Sequence, residues 1–104
     1  MNTPAKILVV DDTLRNVKLL ADLLSVKGYL VVTAASGREA LARVEADPPD
    51  LVLLDTVLPD MTGYDLCRKI REKFMLYEVP VILITSKALP QDITAGFGAG
   101  ANDY

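Results

Sequence analysis

Four short stretches of the chain are almost wholly apolar and rich in β-branched residues: KILVV at 6–10, YLVVTA at 29–34, LVLLD at 51–55 and VILIT at 81–85. Apolar runs of this length without polar alternation read as strands buried on both faces. Between them the apolar positions fall at helical spacing. Residues 13–27 place Leu14, Val17, Leu20, Ala21 and Leu24 on one face and end at Gly28. Ser36-Gly37-Arg38-Glu39 is a capping box that opens a second helix running to about Ala46, where Pro48-Pro49 stops it. A third helix is predicted from near Gly63 or Tyr64, and a fourth over about 90–98. Leu66, Ile70, Phe74 and Tyr77 stand near helical spacing, so FMLY at 74–77 is read as an extension of the third helix with a longer buried stripe. The alternation βαβα implies right-handed crossovers and an α/β, doubly wound parallel sheet with helices on both faces.

Composition adds exclusions. With 104 residues, 51% of them hydrophobic and 24% charged, the chain reads as one domain, 1–104, able to build a core of its own. A net charge of -3 with no Lys/Arg run speaks against direct nucleic-acid binding. No apolar run approaches a membrane span and MNTPAK lacks the apolar segment of a signal peptide, so neither a membrane nor export is expected and the cytoplasm is the expected location. Cys67 is the single cysteine and sits between Leu66 and Ile70, where core packing is its reading. Zero histidines remove the commonest general base, leaving carboxylates, hydroxyls and metal ions for any chemistry.

In doubly wound sheets ligands sit at the carboxyl ends of the strands. The first strand ends in Asp11-Asp12, the third in Asp55 and the fourth in Thr85-Ser86, so these side chains meet if strands one, three and four are neighbours. Three carboxylates facing one cleft repel each other and raise at least one pKa. A hard divalent cation such as Mg2+ resolves that conflict, because it takes carboxylates, carbonyls and waters as ligands. Taken singly, Asp12 or Thr13 also reads as the N-cap of the first helix, and Asp55 as a loop acid following a strand.

VVDD at 9–12, LVLLD ending at Asp55, Leu58-Pro59 followed by Gly63, PVILITS at 80–86 and GAGANDY at 98–104 occur in that order along the whole chain. In this set the chain resembles the receiver domain of a two-component response regulator. The resemblance implies a flavodoxin-like fold with strand order 2-1-3-4-5. It implies that Asp55 is the phosphoacceptor, that Asp11, Asp12, Asp55 and the backbone carbonyl of Val57 hold Mg2+, that Thr85 contacts the phosphoryl group, and that Tyr104 is the aromatic switch. The implied partners are a sensor histidine kinase or phosphotransfer protein as donor and an output domain or downstream protein as recipient. Such a domain is a phosphoacceptor with self-catalysed phosphotransfer and autodephosphorylation, not a turnover enzyme.

The family pattern continues past the aromatic position to a lysine, and residues 1–104 stop at Tyr104, leaving the fifth strand barely begun and the last helix absent. Two expectations follow: lower stability or a homodimer formed by pairing of exposed edges, and a second functional class, a receiver-like interaction module that does not phosphorylate. A phosphohydrolase of the haloacid dehalogenase type is disfavoured, since its first motif needs an acid two residues after the nucleophile and Thr13 stands there after Asp11. Lys87 reads as a solvated surface lysine, and the resemblance implies that Ser86 and Val57 flank the phosphoryl site. Gly96, Gly98 and Gly100 follow a helix, so they read as a turn into the fifth strand and not as a phosphate loop.

Overall fold

Helical and strand segments alternate as β1 (Lys6–Val10), α1 (Leu14–Val26), β2 (Leu30–Ala34), α2 (Gly37–Ala46), β3 (Leu51–Asp55), α3 (Gly63–Arg71), β4 (Val81–Ile84) and α4 (Pro90–Gly98). The computed structural model describes residues 3–84 and 90–103, with backbone alone for 90–93. The four strands form one parallel sheet in the order β2-β1-β3-β4. Among the described residues no fifth strand forms. Asp103 makes an isolated parallel bridge to Ile82, on the side of β4 where the order 2-1-3-4-5 puts a fifth strand.

The sheet's interior follows from strand composition. In β1, Ile7, Leu8, Val9 and Val10 are all buried, as a central strand covered on both faces requires. On one face Leu8, Val10, Val52, Leu54, Val81 and Leu83 join Ala40 and Val44 of α2 and Leu66, Cys67 and Ile70 of α3 in a continuous core. Each large aliphatic side chain removed from water there contributes about 1.5–3 kcal/mol. The α1 helix covers the sheet more thinly. Val17, Leu20, Ala21 and Leu24 are half-buried as expected, but Leu14, at the first helical position, is exposed, and no residue of this helix is fully buried.

Local chemistry sets the helix ends. The helix α1 closes on Gly28, whose φ of 94° lies in the left-handed region that glycine enters without penalty, while the Tyr29 amide donates to the Leu24 carbonyl. At α2, Ser36 accepts from the Glu39 amide at 3.2 Å, the first half of the expected capping box. The Glu39 carboxylate pairs with Arg43 one turn on.

The third helix does not extend through FMLY. It stops at Arg71, because the Arg71 guanidinium takes the carbonyls of Phe74, Met75 and Val79 and turns the chain toward β4. Phe74 packs against the core, whereas Met75, Leu76 and Tyr77 stay exposed.

Candidate functional site

The sheet register brings the acidic residues together. Val10 pairs with Leu54, so the residues that follow, Asp11 and Asp55, leave adjacent strands at the same edge. One carboxylate oxygen from each of Asp11, Asp12 and Asp55 lies within 4.8 Å of the others. Asp11 is also tied locally: its Oδ1 accepts from the Thr13 amide at 2.8 Å and its Oδ2 from the Asn16 side chain at 3.3 Å. Thr13 is the N-cap residue of α1 but makes no side-chain capping bond, and the helix start is shaped by Asp11 instead. Asp12 is exposed and Asp55 half-buried.

Asp55 is held above the ordinary carboxylate range. Burial pushes it up and the charges of Asp11 and Asp12 add to that, against the opposing pull of the Val57 amide, which donates to its Oδ1 at 3.3 Å. A site that penalises its own negative charge and offers three hard oxygens is suited to a hard divalent cation, so the donor set fits Mg2+.

The chain leaves Asp55 through a short hairpin. Val57 and Thr62 form an antiparallel bridge, and the Leu58 amide donates to the Met61 carbonyl. Then Thr62 caps α3 by accepting from the Asp65 amide at 3.1 Å. The Val57 side chain is exposed, so what this residue turns toward the fold is its backbone. Gly63 fits where nothing larger could: a Cβ there would stand 2.3 Å from the Asp55 carbonyl oxygen. The first turn of α3 is thereby packed directly on the backbone of the central aspartate.

The family model for the response regulator receiver domain matches residues 7–104. The chain belongs to the response regulator receiver family. It is 40% identical over 99 residues to the alkaline phosphatase synthesis transcriptional regulatory protein PhoP of Bacillus subtilis, covering 95% of this chain and 40% of that protein. To the response regulator PleD of Caulobacter vibrioides it is 42% identical over 100 residues, covering 96% of this chain and 22% of that protein. The chain thus spans well under half the length of these relatives. Among solved structures it superposes on the chemotaxis response regulator CheY4 of Vibrio cholerae with a TM-score of 0.91 at 33% identity, covering 97% of this chain and 84% of that one. For the BeF3-activated receiver domain of Klebsiella pneumoniae RstA the TM-score is 0.88 at 33% identity, with coverage of 95% and 82%.

In this receiver domain the acidic residues singled out in the sequence, Asp11, Asp12 and Asp55, do converge, and Val57 lies in the loop beside them. Thr85 and Tyr104, the expected phosphoryl contact and aromatic switch, lie outside the described residues, as do Ser86 and Lys87. Two residues that the sequence did not single out organise the surroundings. Asp60, at the hairpin tip, accepts from the amides of Gly37 and Arg38 at 2.8 and 2.9 Å. Those amides hold its carboxyl below the ordinary range. Arg71 donates to the Gly100 carbonyl at 2.6 Å and to the Asn102 side chain at 2.8 Å, fixing the segment that leads toward Tyr104. Asp60 and its partners are more than twenty positions apart, and an aspartate after proline in a turn already has a local explanation.

Proposed function

We propose that Asp55 accepts a phosphoryl group from a phosphohistidine of a sensor histidine kinase or phosphotransfer protein, and that the resulting acyl phosphate switches a surface read by an output domain or downstream protein. The observation that carries this reading is the convergence of Asp11, Asp12 and Asp55 at one sheet edge. In the transfer, an Asp55 carboxylate oxygen attacks phosphorus, the phosphorus–nitrogen bond breaks, and the imidazole leaves with the bonding electrons. Asp11, Asp12, Asp55 and the Val57 carbonyl would hold Mg2+, which when bound neutralises charge on the phosphoryl oxygens. The residues of β3 hold Asp55 rigidly, since Val52 and Leu54 are wholly buried. Thr85 contacts the transferred group and Tyr104 follows it, biasing a two-state surface. The domain catalyses its own phosphorylation and autodephosphorylation and does not turn over as an enzyme. Among the described residues no helix is long and apolar enough to cross a membrane, and the domain is read as acting in the cytoplasm.

Intact-mass measurement after incubation with a small phosphodonor tests this. One phosphoryl group is expected on the wild-type chain, and none on Asp55→Asn or when Mg2+ is chelated. A wild-type chain that binds Mg2+ but takes up no phosphoryl group would turn the reading toward the non-phosphorylating interaction module. A phosphoryl group persisting in Asp55→Asn would show that Asp55 is not the acceptor.

A further inference from the structure

We propose that Asp60 is a positioning residue for the phosphoacceptor site, clamping the 56–63 hairpin to the start of α2 so that the backbone of Val57 is held in register with Asp55, Asp11 and Asp12. The inference rests on the reading of that cluster as a Mg2+ and phosphoryl site. Both strands of the hairpin are anchored at its base, where the Gly63 amide donates to the Thr56 carbonyl at 2.9 Å and Val57 bridges Thr62. Base anchoring alone leaves the tip free to tilt. Asp60 removes that freedom, with each carboxylate oxygen taking one of the backbone amides that the first turn of α2 leaves without an intrahelical partner. The negative charge also stands at the favourable end of the helix dipole.

A second contact of different chemistry holds the same tip. The Met61 thioether lies against Gly37, where a Cβ would stand 2.4 Å from the sulfur. Ser36 caps α2 through the Glu39 amide, so Asp60 is not a substitute for a missing N-cap but an addition from a different loop. Between this clamp and Val57 lie Leu58 and Pro59, within a turn closed by the Leu58 amide and the Met61 carbonyl. A tilt of the tip is therefore passed to the Val57 peptide.

Ion selectivity separates positioning from mere structural support. Mg2+ demands near-ideal octahedral geometry, while Ca2+ tolerates irregular ligand sets. A loosened hairpin therefore penalises Mg2+ more than Ca2+. By linkage, Mg2+ binding must in turn tighten the clamp.

The test follows Mg2+ and Ca2+ titrations by NMR on the wild-type chain, Asp60→Ala and Asp60→Asn, with amide exchange read at Gly37 and Arg38. In the wild type, Mg2+ is expected to slow exchange at both amides. In Asp60→Ala the Mg2+ Kd is expected to rise about fivefold, the lower end of typical coupling between sites, and the Ca2+ Kd less than about twofold. Asp60→Asn, which keeps one acceptor oxygen, falls between. Unchanged Mg2+ affinity in a folded Asp60→Ala, or equal loss for both ions, would overturn the positioning role while leaving the site reading intact. A wild-type chain that binds no Mg2+ would overturn the site reading, and this inference with it.

Discussion

Asp55 is a carboxylate that the fold makes reluctant to ionise, and that reluctance has a measurable sign. Its pKa is raised above the ordinary 3.8 by burial and by Asp11 and Asp12. Through the window above that value the folded chain keeps a proton that the unfolded chain has released. Stability therefore falls as pH climbs through the window and stays lower above it. Asp55→Asn, neutral at every pH, is expected to stabilise the metal-free domain at neutral pH, by less than about 1 kcal/mol because the half-buried group is still screened by water on its open side. The gain should vanish below the ordinary carboxylate range, and urea melts on both proteins at the two ends of the window check it. Gly63 makes a complementary point about space. Alanine is ordinarily the better helix former by about 1 kcal/mol, yet at this position its Cβ would meet the Asp55 carbonyl oxygen at 2.3 Å. Backbone cannot rotate aside as a side chain can, so Gly63→Ala is expected to destabilise by about 1–3 kcal/mol. A urea midpoint equal to or above that of the wild type would contradict this.

At the scale of elements, the α3 to β4 connection shows how one side chain can overrule a periodic pattern. Phe74 and Tyr77 continue the spacing of Leu66 and Ile70, but Arg71 offers its donors to Phe74, Met75, Val79 and Gly100, and the helix ends there. Asn102 completes the junction by accepting from the Val81 amide at 2.8 Å and donating to the Leu76 carbonyl at 3.1 Å. Replacing Arg71 with methionine keeps the length and apolar stem and removes the donors. The expected cost is about 2–3 kcal/mol, since hydrogen bonds from a charged donor contribute more than neutral ones. Amide exchange at Val81 should quicken in the same variant through the displaced Asn102. Retained protection at Val81 with an unchanged melt would show that the carbonyls find other donors.

For the molecule as a whole, burial outweighs surface charge. Leu54 is wholly buried in the sheet's core face, and Leu54→Ala is expected to cost about 2–5 kcal/mol. Lys73→Ala breaks an ion pair with Glu45 between α2 and the turn after α3, with both side chains about half exposed, and is expected to cost less than about 0.5 kcal/mol. Paired urea melts read the two directly, and a larger loss in the lysine variant would reverse this ranking. The same division runs through what the amino-acid order settles alone. Uninterrupted apolar runs set four strands, and Ser36, Gly28 and Pro48-Pro49 set helix ends within a residue or two, because those signals act over one turn of chain. Strand-end placement of Asp11, Asp12 and Asp55 was likewise legible, since every strand in a parallel sheet sends its carboxyl end to the same edge. Only the tertiary structure decided that Asp60 meets Gly37 and Arg38, that Arg71 ends α3, and that Gly63 lies against Asp55. Asp60 meets Gly37 and Arg38, and Arg71 meets Gly100, across more than twenty positions that become neighbours only after the sheet register has formed. Gly63 and the carbonyls of Phe74, Met75 and Val79 are near in sequence to Asp55 and Arg71 but meet them only through the way the intervening loops fold back, so no periodic spacing records these contacts.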